Sequence, residues 1–176
     1  CIGIIARLGS TRLPNKHIID INGNPIIFYL INRIKNQFLY ELNQSCLDIF
    51  ILTGNAKENK VLGDIANNSE ISIFYGDPNN IPNRLLQAVN EYNFDYIISI
   101  DGDDVLCAPE GIRKVFEHLI LGENYVKTVC YPFGMNSMGF SKFFLETSLK
   151  RYKEKNLDTG WDWIFDENQC ISIGNE

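Results

Sequence analysis

A chain of 176 residues, 45% hydrophobic and 22% charged, is long enough to bury one core and too apolar to remain disordered, which predicts one globular domain. Its formal charge of −6 at pH 7 excludes the broad positive surface on which a nucleic-acid polymer wraps. No apolar run approaches the roughly eighteen residues of a membrane span and no secretory leader is visible, so the protein reads as cytoplasmic, without membrane or nucleic-acid partners.

"CIGIIA" (1–6) has the continuous apolar character of a strand buried on both faces, and it stops at Arg7. A loop runs from Arg7 to Asn24. "NPIIFYLINRIKNQF" (24–38) then predicts a helix with Asn24 as its cap, Pro25 in the first position, and Ile27, Leu30, Ile31, Ile34 and Phe38 on one face. A second strand follows over 47–53, a helix over 57–67 and a third strand over 71–76, closed by Gly76. The next helix, 81–93, carries Pro82 in its first turn, and the fourth strand covers 96–100. Pro109 opens a helix over 109–120, "VKTVCYPFG" (126–134) returns as a strand, and Ser141 caps a helix over 141–155 whose apolar side is Phe144, Leu145, Leu149 and Tyr152. "TGWDWIFDENQ" (159–169) has no clear period.

Strands alternating with helices predict an α/β fold, a three-layer α/β/α arrangement around a mostly parallel sheet. The chain reads as a single domain over 1–176. It begins at Cys1 without a methionine and inside a predicted strand, the pattern of a fragment or of the ordered part of a longer chain. Five scattered cysteines without a CxxC pair predict free, buried thiols in a reducing compartment. Two histidines, His17 and His118, are thin material for a histidine metal site or a catalytic triad.

In open parallel sheets ligands collect beyond the carboxyl ends of the strands, and several unusual stretches fall there. The loop after the first strand holds Arg7, Arg12 and Lys16 and no acid before Asp20, around Gly9, which permits close backbone approach. Such a loop suits phosphate oxygens. It is neither a P-loop nor a GxGxxG fingerprint, and a solvated basic loop is the competing reading. "SIDGDDV" places Asp101, Asp103 and Asp104 at the end of the fourth strand, where clustered hard oxygens suit Mg²⁺; an ordinary Asp-Gly turn is the alternative. Arg84, early in the fourth-strand approach helix, is either a base or phosphate contact or a surface charge. Gly134, Asn136 and Ser137 are weak pocket candidates. Trp161 and Trp163, among Asp162, Asp166 and Glu167, read as core or interface residues, and Met135 and Met138 as gap fillers.

The opening "IIARLGSTRLPNKHIIDINGNPII" resembles the signature of the cytidylyltransferase family that includes the spore-coat polysaccharide type, acylneuraminate cytidylyltransferases and CMP-Kdo synthetases. "GDPNNIPNRLLQAV", "SIDGDDVLCAP" and "YPFGMNSMGFSKFFLE" resemble its later segments, so the likeness covers roughly residues 2–149. The resemblance implies a nucleotide-diphospho-sugar transferase-like, Rossmann-like fold. It also implies CTP and Mg²⁺, a sugar or sugar-acid acceptor activated as its CMP derivative for surface glycans, pyrophosphate release, and a homodimer by family habit.

By the same resemblance the backbone at Ala6, Arg7, Gly9 and Ser10 cradles the nucleotide, and Arg7, Arg12 and Lys16 bind the triphosphate. Arg12 and Lys16 act catalytically on the leaving pyrophosphate, Asp103 with Asp101 holds the metal, and Arg84 lies near the nucleotide. Departures from the pattern are Asp101 in place of Thr, Asp104-Val105 in place of a small residue and Pro, and no Arg-Glu-His near "LDTGWDWIF". The family's second metal-binding Asp belongs to a C-terminal segment outside this sequence. Two other readings stay open: a sugar-nucleotide glycosyltransferase, from the Asp-x-Asp at 101–103, and a catalytically silent nucleotide-binding domain.

Overall fold

The computed structural model describes residues 1–10, 12–54, 57–152 and 156–174. In chain order it contains β1 (Ile2–Ile5), β2 (Asp20–Ile21), β3 (Asn24–Pro25), α1 (Ile26–Gln37), α2 (Leu39–Asn43), β4 (Ile49–Gly54), α3 (Lys60–Asn68) and β5 (Ser72–Gly76). Then come α4 (Ile81–Glu91), β6 (Tyr96–Asp101), α5 (Pro109–Ile120), β7 (Tyr125–Val129), β8 (Met138–Ser141), α6 (Lys142–Arg151) and β9 (Ile171–Gly174). Among these, no helix is long and apolar enough to cross a membrane.

Seven strands form one sheet in the order β5-β4-β1-β6-β8-β7-β9. All neighbours are parallel except β8, which runs against both β6 and β7. Side chains alternate across the sheet, and the sequence periodicity shows why both faces are covered. Ile2, Ile4, Ile49, Ile51, Ile98 and Ile100 face α1, α3 and α5, whereas Ile5, Phe50, Leu52 and Ile97 face α4 and α6. The three-layer, mostly parallel architecture is therefore the one that strand–helix alternation predicts.

Several local expectations change. Asn24 is not a helix cap: Asn22 (φ 52°) and Gly23 (φ 84°) form a tight turn that pairs Ile21 with Asn24 and Asp20 with Pro25. Positive φ at both positions suits a two-residue hairpin, and the ladder draws Asn24 out of the helix, which starts at Ile26 behind Pro25. The strand predicted to run to 134 ends at Val129, because Cys130 turns with φ 64°. The chain then returns as β8, a strand absent from the sequence reading. Its Gly139 explains the weak pattern: a Cβ there would stand 2.6 Å from Leu119 Cδ1 and 2.7 Å from Val115 Cγ1, so α5 packs directly on the backbone.

Ser141 caps α6 as expected, its Oγ accepting from Phe144 N at 3.1 Å. The helix ends at Arg151, since Tyr152 is already extended; the rest of its predicted extent, 153–155, lies outside the described residues. The two tryptophans divide: Trp161 is buried in the core beside Phe140 and Phe165, while Trp163 is exposed. All five cysteines are free, but only Cys107 is buried; Cys46 and Cys130 sit on exposed turns.

Candidate active site

Register sets the position of the site. Ile5, the last residue of β1, is level with Leu52 of β4 on one side and Asp101 of β6 on the other. The basic loop and the acidic turn therefore leave the sheet at the same height, side by side, at its carboxyl edge. Gly102 N donates to Ile5 O at 2.8 Å, and a Cβ on Gly102 would itself lie 2.8 Å from that oxygen and 3.2 Å from both Ala6 Cβ and His17 Nδ1. Only glycine allows the two turns to come this close.

The basic loop folds back on Leu8, whose carbonyl accepts from Ser10 N at 2.9 Å and Asn15 N at 3.1 Å. Leu8 N in turn donates to Oδ1 of buried Asn59 at 2.9 Å, and Asn59 Nδ2 donates to Gly54 O at 3.2 Å. One amide side chain thus ties the loop to the end of β4. A short 3₁₀ turn over Lys16–Ile18 then presents Lys16 to the acidic turn and buries His17 against Gly102.

A cavity of about 180 Å³ opens where these pieces meet, lined by Ala6, Arg7 and Arg12 from the loop, Asp101 and Asp103 from the turn, and Arg84 from α4, with His17 and the strap 158–161 closing it. A wider hollow of about 930 Å³ between β5 and α4 is open and lacks converging cations. Arg7 Nη1 meets Asp158 Oδ2 at 2.5 Å, and Lys16 is paired with Asp103. Arg12 is exposed and has no ion pair among the described residues.

The carboxylates of the turn are unequal. Asp101 is open to the cavity, yet desolvation by the protein around it, with the charges of Asp104 and Asp103, pushes its carboxyl up to about 6. Desolvation and Asp103 also raise Asp104. For Asp103 desolvation acts upward too, but the hydrogen bond and charge of Lys16 hold it below the ordinary range. Burial holds the His17 imidazole below its ordinary range.

Of the residues singled out from sequence, Ala6, Arg7, Arg12, Arg84, Asp101 and Asp103 share this cavity, and Lys16 joins it through Asp103. Gly9 is exposed and lines no part of it, and Ser10 faces Leu13, whose N–H its Oγ accepts. Arg84 is neither a surface charge nor a free ligand: it is 1% exposed and donates to the carbonyls of Asp77 (2.8 Å), Pro78 (3.2 Å) and Leu52 (3.5 Å). Gly134, Asn136 and Ser137 do not line the cavity; Ser137 N bonds Thr128 Oγ1 and Met135 O receives Ala108 N, so the segment buttresses the acidic turn. Sequence reading missed His17, Asn59 and Asp158. The first had only its place beside Lys16 as a signal, and the others had none.

This combination, cations on one wall and hard carboxylate oxygens on another, is suited to gripping a polyphosphate and a divalent cation together. Known proteins resemble this chain in sequence and in fold. An uncharacterized protein from Methanocaldococcus jannaschii is 32% identical over 156 residues, covering 88% of this chain and 62% of that protein. The 3-deoxy-manno-octulosonate cytidylyltransferase of Yersinia enterocolitica is 27% identical over 141 residues, covering 78% of this chain and 53% of that enzyme. The chain thus spans roughly half to three-fifths of the length of these relatives. The fold matches that of a cytidylyltransferase from Leptospira borgpetersenii with a TM-score of 0.86 at 23% identity, over 99% of this chain and 75% of that one. The family model for cytidylyltransferases matches residues 2–164, and with the site's geometry it establishes that the chain belongs to the cytidylyltransferase family.

Proposed function

We propose that this domain binds CTP at the carboxyl edge of β1 and β6 and transfers its CMP moiety to a hydroxyl of a sugar or sugar acid, releasing pyrophosphate, in the supply of precursors for surface glycans. The observation that carries this reading is the convergence of Arg7, Arg12 and the Lys16–Asp103 pair on one cavity beside Asp101. In the reaction the acceptor oxygen forms a bond to the α-phosphorus as the bond from that phosphorus to the bridging oxygen of pyrophosphate breaks, and the acceptor's proton passes to solvent. Catalysis of this kind rests on positioning and charge stabilisation. Arg12 and Lys16 stabilise the charge that gathers on the departing pyrophosphate, while Ala6 and Arg7, the part of the loop that lines the cavity, hold the nucleotide. Arg84 acts from behind, keeping the 77–78 turn against the end of β4.

Mg²⁺ fits the acidic turn. The donors are hard carboxylate oxygens, and the desolvation that raises Asp101, together with the charges of Asp104 and Asp103, is what a cation would offset. Asp103 and Asp101 would hold it; when bound it supplies neutralisation of the phosphate charge. The Asp-x-Asp at 101–103 also occurs in metal-dependent glycosyltransferases, but the cations opposite it favour a leaving pyrophosphate.

The test is pyrophosphate release with Mg²⁺, offering CTP, ATP, GTP and UTP against a panel of sugar acids and neutral sugars. Release confined to CTP with one acceptor is the expected result. A well-folded protein that neither releases pyrophosphate nor binds CTP overturns the reading.

A further inference from the structure

The strap over 157–161 reaches the cavity from far along the chain and is anchored at both ends. Leu157 N donates to Asn79 O at 2.8 Å and Leu157 O accepts from Ile81 N at 3.0 Å, which fixes one end to the start of α4. Trp161 fixes the other end in the core. Between these anchors the Asp158 carboxylate lies on Arg7 at 2.5 Å, and both residues line the cavity with Arg84. Arg84 is also within the field of both: Arg7 acts on it as a like charge and Asp158 as an opposite one. The Arg7 guanidinium thus already holds a protein carboxylate, the contact that an oxyanion of a ligand would otherwise make.

Building on the nucleotide reading above, we infer that Asp158 is an internal competitor for Arg7: its carboxylate fills the subsite beside Arg7 that a phosphate group of the nucleotide enters, and so sets how tightly the domain holds anionic ligands. Asp158 is a positioning residue, since it acts through Arg7. The competition selects for highly charged ligands. A triphosphate or pyrophosphate that also engages Arg12 and Lys16 displaces the carboxylate, whereas a single phosphate without those contacts faces its repulsion. The strap's backbone bonds do not depend on the Asp158 side chain, so the loop persists when that side chain is neutral.

The experiment is calorimetric titration of the whole 176-residue chain with CTP and, separately, inorganic pyrophosphate, at low and high salt. The proteins are the wild type, Asp158→Asn, Arg7→Ala and the double variant. Asp158→Asn is expected to tighten both probes about five- to tenfold at low salt, as expected for removing one like charge a few ångströms from a phosphate in a partly screened site. The gain should vanish in the Arg7→Ala background. A merely structural role for Asp158 predicts the opposite sign, weaker binding after its loss. Equal or weaker binding by Asp158→Asn, with wild-type CTP binding intact, overturns the competitor role alone. Failure of the folded wild type to bind either probe overturns both this inference and the nucleotide reading. Asp158→Ser provides the same comparison if the Asn variant does not fold.

Discussion

Asn59→Ala removes the two hydrogen bonds by which one side chain holds the basic loop to the end of β4. Asn59 is 3% exposed, accepts from Leu8 N at 2.9 Å and donates to Gly54 O at 3.2 Å. Leaving a buried donor or acceptor unmet costs about 1–3 kcal/mol each, so two orphans predict a loss of about 2–6 kcal/mol, the lower figure applying where a water enters the vacated space. Because Leu8 is the point to which Ser10 and Asn15 also bond, the damage should spread to the part of the loop that carries Arg12 and Lys16. Urea unfolding followed by the fluorescence of Trp161 and Trp163 measures the first effect, and CTP titration well below the melting temperature measures the second. A stability loss under about 0.5 kcal/mol, the range of an ordinary surface substitution, together with unchanged CTP affinity would refute the reasoning. The loop would then hold its shape through its own bonds to Leu8.

Lys16→Ala should leave the melting temperature nearly unchanged, since its pair with half-exposed Asp103 contributes about 0–1 kcal/mol, while kcat for pyrophosphate release falls at least about a hundredfold; full turnover would remove Lys16 from the mechanism. Gly102→Ala forces a Cβ to within 2.8 Å of Ile5 O and should cost about 1–3 kcal/mol by thermal melting and also weaken CTP binding; a wild-type melting curve would show that the two turns separate freely. The raised carboxyl of Asp101 has a pH signature. The folded state keeps a proton up to about pH 6 that the unfolded chain releases near its ordinary value of 3.8, so Asp101 makes stability fall as pH rises from about 4 to 6 and level off above that. Asp101→Asn should flatten that part of the stability profile, and an unchanged slope between wild type and variant contradicts the assignment.

Features written into a contiguous stretch are legible in the sequence because local geometry alone produces them. The buried stripe of α1, the Pro109 start and Ile120 end of α5, and the Ser141 cap of α6 each follow from side-chain spacing or a single hydrogen bond within a turn. The cation-rich loop and the Asp-rich turn are legible for the same reason, and strand–helix alternation already demands that both emerge from a mostly parallel sheet. Asn24 is the instructive local failure: as a helix cap it competed with an Asn-Gly turn two residues earlier, and the hairpin ladder won.

Which distant groups meet was decided only by the tertiary structure. Arg7 and Asp158 are 151 residues apart and Leu8 and Asn59 are 51 apart, separations over which composition and period carry no information. The antiparallel insertion of β8 between β6 and β7 likewise depends on α5 packing against Gly139 rather than on any pattern in the strand itself. Arg84 makes the distinction sharpest. Its residue type and helical position predict a solvated charge, yet the carbonyls of Leu52, Asp77 and Pro78 converge on it once β4 and the 77–78 turn are brought together, and a guanidinium so bonded is stable inside the protein. The sequence by itself determined which charged side chains stand at the carboxyl edge of the sheet; three-dimensional packing determined that two of its cations, Arg7 and Lys16, would already be matched to carboxylates, because only folding brings charges from separate segments within bonding distance.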